Sequence, residues 1–195
     1  TDTDNIGSQF TVGPFLAGGF LGYDIYTVGS SPAFYFKVHM QLTDVSGTDD
    51  CHVGFRLQSD AVETTYVAYS DFASLNVDAG DIKYETNLNT GVGYSDFASL
   101  NIDAGAVKYE NNLNGGTAAT ATATGTTLVD NEWAWLEVRV SAAGATSYYK
   151  NGTELTVNKP TFTFDTGDII TPWVYFRNAT DKSDFIIDEV EFGLQ

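Results

Sequence analysis

Few residues of this 195-residue chain have the type and spacing for covalent chemistry. Cys51 is the one cysteine, and it stands next to His52. Neighbours on a strand point to opposite faces, so the two cannot form a thiol–imidazole pair there. The expectation is a small buried thiol beside a surface imidazole. His39 completes the histidines, a poor inventory for a zinc site of three or four ligands. Glu189 and Glu191 sit two apart and share a face on a regular strand. Paired carboxylates flanking a cleft can hydrolyse glycosides, yet no ordered acidic set precedes them, and a solvated acidic face is the expectation. Two acidic loops, Asp44-Val-Ser-Gly-Thr-Asp49-Asp50 and Asp165-Thr-Gly-Asp168, offer the oxygen ligands that calcium prefers, without an EF-hand pattern. No cofactor is expected, with calcium left open.

Aromatic residues make the better binding case. Flat rings with polar tips suit half-exposed sites that stack on sugars or pack against another subunit. Trp135 shares its strand face with Glu137 and Arg139 and is expected outside, whereas Trp133, at the strand's entrance, reads as a core plug. Trp173 and Tyr175 alternate with Val174 and Phe176, so one of these two pairs faces outward. Trp135, Trp173 and Tyr175 are therefore the candidate contact residues, for a glycan or for a neighbouring subunit, with the subunit favoured.

The elements that would position these groups follow a period of two. In Phe34-Tyr-Phe-Lys-Val-His-Met-Gln-Leu42, apolar side chains alternate with Tyr35, Lys37, His39 and Gln41. Val53, Phe55 and Leu57 repeat the pattern, as do Leu136, Val138 and Val140. Asn151-Gly152 between strand-like flanks predicts a hairpin. Further strands are expected at 9–12, 161–165, 172–177 and 185–192. No stretch sustains helical spacing. About a dozen strands that each bury one face call for two antiparallel sheets stacked as a jelly-roll sandwich in a single domain, 1–195.

One repeat stands out. Residues 69–91 align with 94–116 at an offset of 25, with 18 of 23 positions identical. Each copy reads as a hairpin turning at Asp78-Ala-Gly80 or Asp103-Ala-Gly105, with its glycine left-handed. The second is a local duplication that widens a sheet or projects as a flap. The Ala/Thr-rich stretch 117–127 reads as an extended edge or loop.

Composition narrows the function classes. A net charge of −17 repels nucleic acid and anionic membranes alike. A composition 43% hydrophobic and 14% aromatic excludes a disordered chain. No apolar run approaches the ~18 residues of a membrane span, and the expectation is a chain without a secretory leader. On that expectation Asn151-Gly-Thr153 and Asn178-Ala-Thr180 are not glycosylated.

The order of motifs is informative. Phe36-Lys-Val-His-Met-Gln-Leu-Thr-Asp-Val, Val53-Gly-Phe-Arg-Leu, the Ser-Asp-Phe-Ala hairpin, Trp133-Ala-Trp-Leu-Glu-Val-Arg-Val, Tyr149-Lys-Asn-Gly, Thr171-Pro-Trp-Val-Tyr-Phe and Ile187-Asp-Glu-Val-Glu-Phe follow one another. Over 33–192 this resembles concanavalin A-like lectin/glucanase (laminin-G-like) sandwiches, particularly those of tailed-bacteriophage structural proteins. The resemblance implies two curved antiparallel sheets and a non-enzymatic virion protein, a capsid decoration or outer surface module. Such a protein assembles in the host cytoplasm, contacts capsid or other virion proteins and forms a homo-oligomer. A carbohydrate- or receptor-binding module of a tail fibre is the alternative it implies. The glucanase pattern Glu-x-Asp-x-x-Glu is absent, so no catalytic residue carries over. The second hairpin copy departs from the family pattern.

Overall fold

A computed structural model describes residues 7–11, 26–46, 48–57, 71–78, 81–88, 97–103, 106–112, 124–159, 161–178 and 183–195. The described residues hold thirteen strands and no helix. They are β1 (Gly7–Thr11), β2 (Tyr26–Thr27), β3 (Phe34–Leu42), β4 (Thr48–Leu57), β5 (Asp71–Asp78), β6 (Asp81–Leu88), β7 (Phe97–Asp103), β8 (Ala106–Asn112), β9 (Trp133–Val140), β10 (Thr146–Lys150), β11 (Thr153–Glu154), β12 (Ile169–Asn178) and β13 (Phe185–Leu194). The 161–165 segment forms only an isolated bridge, Ala145 to Thr163, rather than the expected strand. Val12, at the end of the 9–12 strand, lies outside the described residues.

Two antiparallel sheets carry the core. One runs β1-β12-β4-β5-β6 with β2 also on β12, and the other runs β11-β10-β9-β3-β13. Strict alternation along β3 buries Phe34, Phe36, Val38, Met40 and Leu42 and turns Tyr35, Lys37, His39 and Gln41 outward. Facing them, β4 contributes Cys51, Val53 and Phe55. Phe34 and Phe55 meet edge to face with centroids 5.5 Å apart, and Tyr26 stacks on Phe34 at 4.0 Å. These rings join the two layers, and full burial of one such side chain stabilises the fold by roughly 1.5–3 kcal/mol.

The turn chemistry is local. Asn151 and Gly152 both have positive φ, 50° and 77°, as a two-residue turn with the right twist for a hairpin requires. Gly54 is required for a different reason, since a Cβ there would collide with the backbone of Ala73 and Ser74 on β5. The duplicated segments share one register: Phe72 pairs with Asn87 and Asp78 with Asp81, as Phe97 pairs with Asn112 and Asp103 with Ala106. The first copy extends the six-stranded sheet, while the second closes on itself as β7-β8. The turn glycines Gly80 and Gly105 and most of 117–127 lie outside the described residues.

The polar face of the six-stranded sheet departs from expectation. Val174 and Val53 pair on the core side, and Trp173 pairs with Gly54 on the other side. That outer side is covered as well: His52, Ser74, Thr171 and Trp173 are all buried. His52 is thus no surface imidazole. Its Nδ1 lies 3.0 Å from Ser74 Oγ, and its ring is 5.2 Å from the Trp173 indole. Alternation assigns a side chain to a face but says nothing about whether that face is bare.

Candidate functional site

Among the described residues, the outer face of the five-stranded sheet is a partly exposed, chemically varied surface. Strands β3 and β9 pair with His39 opposite Trp135, Lys37 opposite Glu137 and Tyr35 opposite Arg139. Strand β13 adds Glu189 opposite His39 and Glu191 opposite Lys37. Odd-numbered residues of three strands therefore share one surface. From Trp133 to Arg139 it extends ~20 Å.

At one end the rings form a ladder. The His39 imidazole lies 5.0 Å from the Trp133 ring and 4.9 Å from the Trp135 ring. The Lys37 ammonium follows, 4.5 Å from the Trp135 centroid, in cation–π range. Trp133 is 42% exposed, which corrects its expected place as a core plug: it has the same parity as Trp135 and so the same face. Trp135 is half-buried beneath His39 and Lys37. A β-bulge between Ile187 and Glu189 brings Asp188 Oδ2 within 3.0 Å of His39 Nδ1. A carboxylate only accepts, so that nitrogen carries the proton.

At the other end lies an open groove of about 360 Å³ lined by Tyr35, Lys37, Glu137, Arg139 and Gln195. Arg139 grips Glu137 with two bonds, Nε to Oε1 at 2.7 Å and Nη2 to Oε2 at 3.3 Å. Its guanidinium also lies 4.0 Å from the Tyr149 ring centroid. Lys37 Nζ is 2.9 Å from Glu191 Oε1. These bonds hold both cations charged: the one to Glu191 raises the Lys37 pKa and the one to Glu137 raises that of Arg139.

Trp173, expected as a contact residue, is buried and takes no part in this surface. Tyr175 sits opposite His52 on the other sheet; its side chain lies outside the described residues. Of the three candidates only Trp135 joins the surface. Trp133, Tyr35, Lys37, His39, Arg139 and Tyr149 were missed as a group. Their parity was visible, but the register joining β3 to β9 was not.

The acidic loops are used by their own turns. Asp44 Oδ1 accepts the Ser46 N–H and hydroxyl, and Asp168 Oδ2 accepts the Asp165 N–H. Asp49 and Asp50 lie in β4 rather than in a loop. Among the described residues no group of three or more His, Cys, Asp or Glu could hold a metal.

Two stacked antiparallel sheets make this a β-sandwich with the layering of lectin-like folds. Comparison with solved structures gives the fold as a concanavalin A-like jelly roll. The carbohydrate recognition domain of Emp46p, in a potassium-bound form, superposes with a TM-score of 0.53 at 10% identity, covering 97% of this chain and 78% of that one. That of Emp47p gives 0.50 at 14% identity, covering 97% and 80%. An alginate lyase from Pseudomonas aeruginosa is more distant, 0.43 at 10% identity, covering 87% and 68%. No family model matches the chain, and no curated protein matches it.

Proposed function

We propose that this protein is a non-catalytic, lectin-like carbohydrate-binding module whose glycan lies along the outer face of the five-stranded sheet. The observation that carries this reading is the ladder Trp133–His39–Trp135–Lys37, an exposed indole at the head of a row of rings and donors. Apolar sugar faces stack on such rings while their hydroxyls reach the polar groups alongside. The fold shared with two carbohydrate recognition domains supports it. Catalysis draws no support from this face, where Glu137 and Glu191 are each committed to an ion pair rather than opposed across a cleft. The test is a glycan array followed by calorimetry. A signal that Trp133→Ala removes with folding intact supports the reading, and silence across the array overturns it.

A virion-surface role remains the second reading, supported by the motif order. Ile187, Phe192 and Leu194 on the edge strand β13 are exposed apolar side chains of the kind a subunit contact covers. Saturable binding to undecorated capsids would support it, and no binding at micromolar concentration would count against it.

A further inference from the structure

The groove at the far end of the face from Trp133 has a composition unlike that of a bare charged surface. Glu137 is only 8% exposed, and carboxylates so buried are almost always paired. Its partner Arg139 comes from the same strand two residues on, which leaves both side chains fixed on one face. Tyr149, opposite Glu137 on β10, supplies the ring beside which the guanidinium lies. Arg139 is therefore held by a fork and by a ring. The fork uses two of its five N–H donors, leaving three in a fixed plane at the groove wall.

The neighbouring groups complete a hydrogen-bonding wall without net charge. Lys37 and Arg139 are matched by Glu191 and Glu137. Tyr35 contributes its hydroxyl. Gln195 anchors its amide by donating from Nε2 to the Phe34 carbonyl, which leaves its own oxygen as an acceptor. Gly193 lies opposite Tyr35, so no side chain from β13 stands over that ring. Donors and acceptors thus alternate in a charge-balanced groove on a chain of net charge −17. A sugar carboxylate or sulfate would find both cations already committed and would enter a repulsive field. Uncharged hydroxyls would find matched partners.

We propose that the groove between Tyr35 and Arg139 is the specificity subsite of this face and takes an uncharged sugar unit through hydroxyl hydrogen bonds to the clamped Arg139 guanidinium. This rests on the carbohydrate-binding reading above and deepens it. Glu137 and Tyr149 are positioning residues, since they act by fixing Arg139.

The test uses the full chain on an array of neutral, uronate-bearing, sulfated and sialylated oligosaccharides, with the best ligand carried into calorimetry. The expected result is binding of neutral glycans, with affinity changing less than about twofold between low and high salt because no net charge is neutralised. Arg139→Lys keeps the charge and loses the planar fork, and should weaken that binding by about 10- to 100-fold, the loss of one or two charge-assisted hydrogen bonds. Tyr149→Leu should weaken it less but narrow the preference between epimers that differ at one hydroxyl, which a merely structural role would not do. Preference for acidic glycans, or neutral binding indifferent to Arg139→Lys in a folded protein, overturns the subsite while the carbohydrate-binding reading stands. Silence of the wild-type protein on every glycan overturns both.

Discussion

Asn151 holds Trp135 at two points. Its backbone N–H donates to the Trp135 carbonyl at 2.9 Å, and its side-chain Oδ1 accepts the Trp135 N–H at 2.9 Å. The ladder between β9 and β10 ends at Leu136 and Lys150, so the Asn151 side chain stands in for the next backbone acceptor. One residue therefore makes the hairpin turn, with φ of 50°, and fixes the backbone beneath the aromatic ladder.

This double role separates three substitutions. Asn151→Ala loses the acceptor, worth ~1 kcal/mol, and with it the local polar bonding that lets asparagine tolerate the left-handed region, so more of the ~1–2 kcal/mol cost of that conformation is felt. Asn151→Gly loses only the acceptor, and Asn151→Asp keeps it. Urea denaturation should rank the variants Asp, Gly, Ala in rising order of destabilisation. A glycine variant as unstable as the alanine one would show that the backbone conformation contributes nothing.

The three tryptophans should behave differently although their sequence contexts look alike. Trp133→Ala removes a partly exposed ring and its contact with His39, and should cost only ~1 kcal/mol while removing glycan binding. Trp173→Ala empties a fully buried site and should cost ~3–5 kcal/mol. Trp135→Ala lies between, losing the His39 stack and the Lys37 contact, each worth ~1 kcal/mol. Denaturation midpoints paired with calorimetry give both readouts. In single-tryptophan variants, acrylamide should quench Trp133 readily and Trp173 hardly at all. The reverse order would contradict the two faces assigned here.

Parity was legible in the sequence and coverage was not. Alternation in β3 and β9 placed Phe36 and Val38 inside and Lys37 and Trp135 outside, because a strand with one buried face must alternate. The same rule placed His52 away from the core and left open which of the Trp173 and Val174 faces was outward. His52 and Trp173 do lie on the face away from the core, yet both are buried. Whether a second layer covers a face depends on contacts between segments distant in the chain, and local spacing holds no record of these. Register was hidden for the same reason. Tyr35 meeting Arg139, and the bulge that turns Asp188 toward His39, are set by pairing between strands about 100 and 150 residues apart. The Asn-Gly turn was legible because its cause lies within two residues.

The duplicated hairpin offers a test of modularity. Residue 91 of the first copy aligns with residue 116 of the second, so deleting 92–116 joins Gly91 to Thr117 and recreates the native Gly116–Thr117 junction. Among the described residues the deleted strands hydrogen-bond in a ladder of their own and lie against β5 and β6, which keep their places in the six-stranded sheet. The shortened chain should retain its β-type circular dichroism and one cooperative unfolding transition. Loss of that transition would mean that the second copy supports the sandwich.

Tyr148 should contribute to unfolding at alkaline pH. It is fully buried, and its hydroxyl oxygen accepts a hydrogen bond from Thr146 Oγ1 at 3.2 Å. Burial pushes the phenol well above its ordinary value of 10.0, an effect that the bond from Thr146 only partly offsets. The folded state therefore keeps a proton that the unfolded chain releases above about pH 10. Stability is level below that pH and falls as pH rises beyond it, by ~1.4 kcal/mol per pH unit from this group, until the folded phenol also ionises. Tyr26, raised by the same cause, adds to the slope. Tyr148→Phe removes one titrating group, so unfolding free energies measured between pH 9 and 12 should fall less steeply in the variant. Identical slopes in the two proteins would mean that the buried phenol does not govern alkaline unfolding.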